Sequence, residues 1–131
     1  MKKVLIVEDD SLILFGLKAK FSSLGFEAIA VDGTQEIKDI ILKIKRDRPD
    51  FLILDLILPR IEGFDLLKEI KSEMLGWKMP VFIFSNLVDK ESRSRCDNLG
   101  ADFYFVKTDF NIDEFVEKVI KITDNLGLNK L

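Results

Sequence analysis

The chain has 131 residues, of which 47% are hydrophobic and 33% are charged, values typical of a single globular domain. Its net charge of −3 argues against a nucleic-acid-binding surface, and no apolar run approaches the roughly 20 residues that span a membrane. Because the chain has no histidine, histidine-dependent hydrolases and the usual zinc sites are excluded.

Short apolar runs alternate with amphipathic segments along the whole chain. The predicted strands are 4–7, 27–31, a central run within 51–58, 80–84 and 102–106, and the predicted helices are 11–24, 35–46, 64–74, 90–99 and 112–124. The first helix should bury one stripe of apolar residues, namely Leu14, Leu17, Phe21 and Leu24. Such alternation predicts an α/β fold, a flavodoxin-like doubly wound parallel sheet in strand order 2-1-3-4-5 with five helices.

Polar residues follow four of the five strands, at the point where each strand ends. The first is followed by Glu8, Asp9 and Asp10, the third carries Asp55 at its end, and Ser85 and Lys107 end the fourth and fifth. Parallel strands share one carboxyl edge, so these groups should converge in the crevice where open α/β sheets bind ligands. Clustered carboxylates repel one another and call for a cation or protonation. Together with one lysine and one hydroxyl, Mg²⁺ at this edge would provide what phosphoryl transfer to an aspartate needs.

The same residues resemble the receiver domain of bacterial two-component response regulators, which has the fold of the chemotaxis regulator. The similarity covers essentially the whole chain and implies a receiver domain at 1–124 followed by a tail at 125–131. No single matching segment is specific for the family, but all of them in this order are specific. The matching segments are 5–10, 55–59 with Gly63, 81–85, 100–104 and 106–107.

The resemblance assigns roles to individual residues. Asp55 matches the phosphoacceptor, and Mg²⁺ would be held by Glu8 (largely through water), Asp9, Asp55 and the backbone carbonyl of Ile57. Lys107 and Ser85 would bind the phosphate. Ser85 and Tyr104 match the switch pair that repacks the surface of helix four, strand five and helix five, although Tyr104 could also be a core residue. Asp10 is more simply a helix cap.

One departure from the family pattern, and two positions that the family uses to admit or exclude water, add expectations. Thr108 replaces the proline after the lysine, where the family has a cis bond; a cis Lys107–Thr108 bond is expected because the aim of the lysine depends on it, at a cost of about 3 kcal/mol. Ile57 and Leu87 lie two residues beyond the acceptor and the switch hydroxyl. Apolar side chains at both places should shield the phosphoryl group from water, so self-dephosphorylation should be slow and the chain is not otherwise expected to be an enzyme.

The expected partners are a histidine kinase or histidine phosphotransfer protein and a downstream protein target, with neither nucleic acid nor membrane. A homodimer through helix four, strand five and helix five is a further option. Leu12, Ile13 and Phe15 lie partly off the buried stripe of helix one, and kinase docking and packing are equally good interpretations of them. The single cysteine, Cys96, and the lack of a signal-peptide pattern predict a cytoplasmic, stand-alone receiver, unless the sequence is part of a longer regulator.

Three other functions remain to be distinguished. The first is a degenerate receiver that works as a phosphorylation-independent interaction module, against which the complete set of acidic residues and lysine argues. A flavin-binding electron carrier of similar fold would need a phosphate loop after strand one, where this chain is acidic. A metal-dependent phosphatase of the Asp-x-Asp type would need a second aspartate where Ile57 stands.

Overall fold

A computed structural model describes residues 2–128 as one five-stranded parallel sheet flanked by helices. The strand order β2-β1-β3-β4-β5 confirms the flavodoxin-like topology expected from the sequence. The strands are β1 (Lys2–Val7), β2 (Phe26–Val31), β3 (Phe51–Leu54), β4 (Val81–Ser85) and β5 (Phe103–Val106). The helices are α1 (Ser11–Ser23), α2 (Ile37–Asp47), α3 (Gly63–Glu73), α4 (Lys90–Asn98) and α5 (Ile112–Asn125).

Side-chain caps fix where the helices begin. Asp10 accepts hydrogen bonds from the backbone N–H groups of Leu12 (2.9 Å) and Ile13 (3.2 Å), which confirms its role as a helix cap. Asn111 and Glu114 form a reciprocal capping box at the start of α5. Both caps lie on the carboxyl side of a strand, so they also fix the paths of the chain as it leaves β1 and β5.

The sheet separates two cores of different composition. The face covered by α2 and α3 is mainly aliphatic and includes Leu52, Leu54 and Ile83. The face covered by α1 and α5 is rich in phenylalanine, and Phe84 stacks on Phe115 with ring centroids 3.8 Å apart. Strands β1, β3 and β4 are therefore apolar on both faces, and a charged side chain can be accommodated only where these strands end.

The structure corrects some expectations about helix ends. Leu24 does not belong to the buried stripe of α1 but is 46% exposed, because the helix ends at Ser23 and Gly25 turns the chain with φ of +89°. Helix α2 begins at Ile37 rather than at Gln35, after Glu36 as the N-cap residue. The proposed tail overlaps the last turn of α5, while Met1 and residues 129–131 lie outside the described residues.

Helix length sets a limit on membrane insertion. Within residues 2–128, no helix combines the length and the apolar character that crossing a bilayer requires.

Candidate functional site

The strand ends bring two carboxylates together below the surface. Asp55 follows β3 directly, and its backbone N–H donates to the carbonyl of Val7 at 2.9 Å. Glu8 follows β1, and its N–H donates to Val31 at 3.1 Å. These bonds extend the sheet by one residue, so both carboxyl groups are held at the carboxyl edge of the central strands. Glu8 is 2% exposed and Asp55 is 4% exposed, so both carboxyl groups are buried.

Lys107 bridges the two buried carboxylates. Its Nζ atom lies 2.8 Å from Oδ2 of Asp55 and 2.7 Å from Oε1 of Glu8. The second oxygen of each carboxylate accepts a backbone hydrogen bond, from Asp10 N–H to Glu8 Oε2 (2.9 Å) and from Ile57 N–H to Asp55 Oδ1 (3.1 Å). Each charge in this trio is therefore hydrogen-bonded as well as paired, the condition under which burial of charge is tolerated.

Burial and charge act against each other in this trio. Burial raises the pKa of Glu8 above its ordinary value, even though the hydrogen bonds from Lys107 and Asp10 favour the ionised form. For Lys107, burial alone would lower the pKa, but the hydrogen bonds to Asp55 and Glu8 outweigh it and raise the pKa. The ammonium therefore stays charged near neutral pH, and it partly meets the need for a cation among the carboxylates.

The Lys107–Thr108 peptide bond is trans, so the expectation of a cis bond was wrong. The chain instead leaves β5 through a short 3-10 turn, Lys107–Asp109, and this turn aims the lysine into the crevice. A trans bond avoids the cost of about 3 kcal/mol that a cis bond before a residue other than proline would carry.

The remaining acidic residue, Asp9, differs from Glu8 because it faces solvent. Within residues 2–128, no three acidic, histidine or cysteine side chains converge closely enough to form a metal cage. Mg²⁺, however, commonly takes only one or two carboxylates and completes its shell with water and phosphate oxygens. Asp9 and Asp55 carry carboxylate oxygens, which are the ligand chemistry that Mg²⁺ prefers. The residues present therefore fit Mg²⁺ as an ion shared with solvent or phosphate.

Two glycines near Asp9 and Asp55 stand where a larger side chain would not fit. A Cβ on Gly33 would lie 2.6 Å from Cδ of Pro59 and 3.0 Å from Oδ1 of Asp9. A Cβ on Gly63 would lie 2.4 Å from the carbonyl oxygen of Leu56, so the start of α3 presses directly on the loop after Asp55. The sequence analysis used Gly33 only as a turn signal and missed its contact with Asp9; a glycine just after the carboxyl end of β2 was the available clue.

Ser85 and Tyr104 lie on either side of the loop that follows β4. Ser85 is fully buried, and its Oγ is 3.5 Å from the backbone nitrogen of Leu87. The hydroxyl of Tyr104 donates to the carbonyl of Leu87 at 2.6 Å, while the ring packs against the aliphatic core. Burial raises the pKa of Tyr104 to about 12. The loop at Leu87 thus links the two residues that the resemblance assigned to the switch.

The three apolar residues at the start of α1 do not form one exposed set. Leu12 and Phe15 are 81% and 75% exposed, whereas Ile13 is half-buried and packs against the phenylalanine-rich core. Leu12 and Phe15 are therefore accessible at the surface, while Ile13 contributes to packing. Ile57, on the loop after Asp55, is 52% exposed, so it covers the crevice only in part.

The fold and the crevice define a class: an α/β domain with a flavodoxin-like sheet whose acidic edge is bridged by a buried lysine. A profile of the response regulator receiver domain matches residues 4–120, nearly the full length, and the chain belongs to this family of signalling domains. Receiver domains generally use Mg²⁺ for phosphorylation and interact with histidine kinases or phosphotransfer proteins.

Individual relatives agree with this assignment. A probable transcriptional regulator, ycf27 of Porphyridium aerugineum, is 26% identical over 130 residues, which are 98% of this chain and 52% of the relative. The chain thus spans about half or less of the length of the curated relatives it matches. A CheY-like receiver domain from Methanospirillum hungatei JF-1 is 28% identical, with a TM-score of 0.80 and 95% coverage of each chain. A response regulator from Clostridium difficile, 23% identical, shares the fold with a TM-score of 0.83 over 99% of this chain and 100% of its own.

Proposed function

We propose that Asp55 accepts a phosphoryl group from a histidine kinase or histidine phosphotransfer protein. The observation that carries this proposal is the contact between Lys107 and Asp55, a buried pair 2.8 Å apart at the end of the central strand. A buried ion pair is costly to desolvate and is often no more stabilising than apolar residues of similar volume, so stability alone does not account for one at this place. An aspartate that is to hold a phosphoryl group needs such a cation nearby.

The chemistry assigns a task to each member of the trio. An Asp55 carboxylate oxygen attacks phosphorus, an oxygen–phosphorus bond forms, and the phosphorus–nitrogen bond of the donor phosphohistidine breaks. Lys107 stabilises the charge on the transferred phosphoryl oxygens, while Glu8 keeps the lysine aimed into the crevice from its other side. The Ile57 N–H holds Oδ1 of Asp55, so that the orientation of the nucleophile is fixed before the donor arrives.

Mg²⁺ would be held by Asp9, Asp55, the carbonyl of Ile57 and, through water, Glu8, and when bound it would neutralise charge on the phosphoryl oxygens. The exposure of Asp9 supports this division of labour, because an exposed carboxylate can take up the ion without displacing Lys107. Glu8 is the weakest member of this ligand set, since one of its oxygens already pairs with the lysine and the other with Asp10.

The phosphorylated state would then be transmitted through Ser85 and Tyr104. Ser85 would donate its hydroxyl to the new phosphate, which pulls the loop at Leu87 and thereby the carbonyl that Tyr104 binds. A downstream protein target, or a second copy of the chain, would read the resulting surface of α4, β5 and α5. The single cysteine of the chain fits a cytoplasmic location for this exchange.

The proposal is tested by incubating the protein with acetyl phosphate and Mg²⁺ and measuring the intact mass. The wild-type chain should gain one phosphoryl group, and the gain should disappear in Asp55→Asn or after chelation of the metal. Asp102→Asn is a matched control, because Asp102 is also paired with a lysine but at the opposite edge of the sheet, and it should still gain mass. A wild-type chain that gains no mass would instead support the phosphorylation-independent interaction module.

A further inference from the structure

Helix α4 differs from the other helices in how it is attached to the domain. Cys96 is its only buried residue, and most of its surface is polar. Two arginines of α4, however, lie over aromatic rings of neighbouring segments. The guanidinium carbon of Arg93 is 5.1 Å from the centroid of Tyr104, and that of Arg95 is 4.1 Å from the centroid of Phe64. Both distances lie within the range of cation–π attraction.

Arg93 covers the side of the Tyr104 ring that would otherwise face solvent. The hydroxyl of Tyr104 is bound to the carbonyl of Leu87, one side of the ring packs on the aliphatic core, and Arg93 lies over the ring from α4. To turn toward solvent, the ring would have to lose both the hydrogen bond and the guanidinium contact. An arginine is well suited to this place because its flat, weakly hydrated group can cover a ring and still face water.

We propose that Arg93 is a positioning residue that holds Tyr104 against the carbonyl of Leu87 before any phosphoryl group is present. In this arrangement the surface of α4 and β5 already has part of its partner-binding conformation before phosphorylation. Phosphorylation of Asp55 then brings about the rest of that conformation. These two statements about partner binding rest on the proposed function, whereas the hold on Tyr104 does not. A cation–π contact at a partly exposed site corresponds to about a two- to five-fold shift in such an equilibrium.

Tyr104 can be observed directly because it is the only tyrosine in the chain. Tyrosine labelled with ¹³C at the ring ε positions gives a ring signal that needs no further assignment, and a soluble paramagnetic agent reports how exposed the ring is. In the unphosphorylated wild-type chain we expect a protected ring. In Arg93→Gln we expect the exposed population to increase about two- to five-fold, and in Arg93→Lys we expect an intermediate value.

Arg95→Gln is the matched control. It makes the same change on the same helix and also removes a cation–π contact, but with Phe64 instead of Tyr104. Its ring signal should equal that of the wild type. An unchanged signal in Arg93→Gln would overturn the proposal. Equal changes in both variants would overturn it too, because they would show a general loosening of α4.

The same samples separate this inference from the proposed function. Acetyl phosphate and Mg²⁺ should phosphorylate Arg93→Gln to the same final extent and only slightly more slowly, since the ring still spends most of its time in the protected position when a small exposed population grows. If the wild-type chain gains no phosphoryl group while its ring signal still depends on Arg93, the proposed function fails and the hold on Tyr104 stands. If phosphorylation occurs and Arg93→Gln leaves the ring signal unchanged, only the inference fails.

Discussion

Each edge of the sheet carries a lysine–aspartate pair, and the two pairs differ mainly in burial. At the carboxyl edge, Nζ of Lys107 and Oδ2 of Asp55 are 2.8 Å apart, and the side chains are 10% and 5% exposed. At the amino edge, Lys71 and Asp102 are 3.1 Å apart, but their side chains are 30% and 40% exposed. Asp102 also accepts the N–H of Val81 at 2.8 Å, which fastens the start of β4.

The comparison separates an exposed pair, which needs no function to explain it, from a buried pair whose cost calls for an explanation. Exposed pairs cost little to form and contribute little, typically below about 1 kcal/mol. A buried pair must offset a large desolvation cost, which apolar residues of similar volume at the end of β3 would not carry. The proposed phosphoryl transfer would account for the buried pair, because the transferred group needs both a nucleophile and a cation.

The largest expected difference between the two edges is in the response to loss of the lysine. Lys107→Ala leaves Glu8 and Asp55 buried without their cation and should lower the free energy of unfolding by about 3 kcal/mol at neutral pH. Lys71→Ala should lower it by less than about 1 kcal/mol, because water screens Asp102. Urea titration of both variants measures the contrast. Adding Asp55→Asn to Lys107→Ala should recover part of the loss; equal losses in the two single variants would contradict the comparison.

A second contrast concerns glycine. Gly63, at the carboxyl edge, has no room for a Cβ because the backbone of Leu56 would be 2.4 Å away, so Gly63→Ala should cost about 2 kcal/mol and slow phosphorylation of Asp55. Gly76, at the amino edge, has open space but a φ of +85°, so Gly76→Ala should cost about 1 kcal/mol and leave phosphorylation unchanged. Urea titration and intact-mass kinetics test both; an equal slowing in Gly76→Ala would show that phosphorylation follows general stability.

The sequence was sufficient for the strand order and for the meeting of Glu8, Asp55 and Lys107, because apolar runs with polar ends specify both the sheet and the polar groups at its carboxyl edge. It was not sufficient for details set by local backbone geometry. The trans Lys107–Thr108 bond and the exposure of Leu24 depend on how particular turns leave a strand or a helix. The contact of Arg93 with Tyr104 joins two segments whose relative rotation no periodicity encodes.

A third contrast concerns the lifetime of the phosphoryl group. We expect substitution of Ile57 and Leu87 by asparagine and glutamate to speed its loss by about tenfold, equivalent to about 1.4 kcal/mol, because polar side chains admit and orient water. Since Ile57 is 52% exposed, most of the shielding should come from Leu87. Decay of the mass gain after removal of acetyl phosphate measures the rate. Leu75→Asn is the control, because Leu75 is exposed and lies at the amino edge. If the phosphoryl group is lost from the double variant at the same rate as from Leu75→Asn, shielding is excluded.

The smallest expected effect is on the pH dependence of stability. Burial raises the pKa of Tyr104 from 10.0 to about 12, so the folded state holds the phenol proton more tightly than the unfolded state. The resulting stabilisation is complete below pH 10 and is lost as the pH rises through about 12. Tyr104→Phe removes this dependence while Lys107 titrates equally in both proteins. The urea midpoint should therefore fall more between pH 8 and pH 11 (about three pH units) in the wild type than in Tyr104→Phe. Equal falls in the two proteins would refute a buried phenol.

The most direct test of the central claim is to locate the phosphoryl group chemically. After phosphorylation with acetyl phosphate and Mg²⁺, borohydride reduces an aspartyl phosphate to homoserine, which tandem mass spectrometry can assign to one position. The buried Lys107–Asp55 pair predicts homoserine at position 55 and unmodified aspartate at position 102. Homoserine at another aspartate, or none after a measured mass gain, would contradict the assignment of Asp55 as the acceptor.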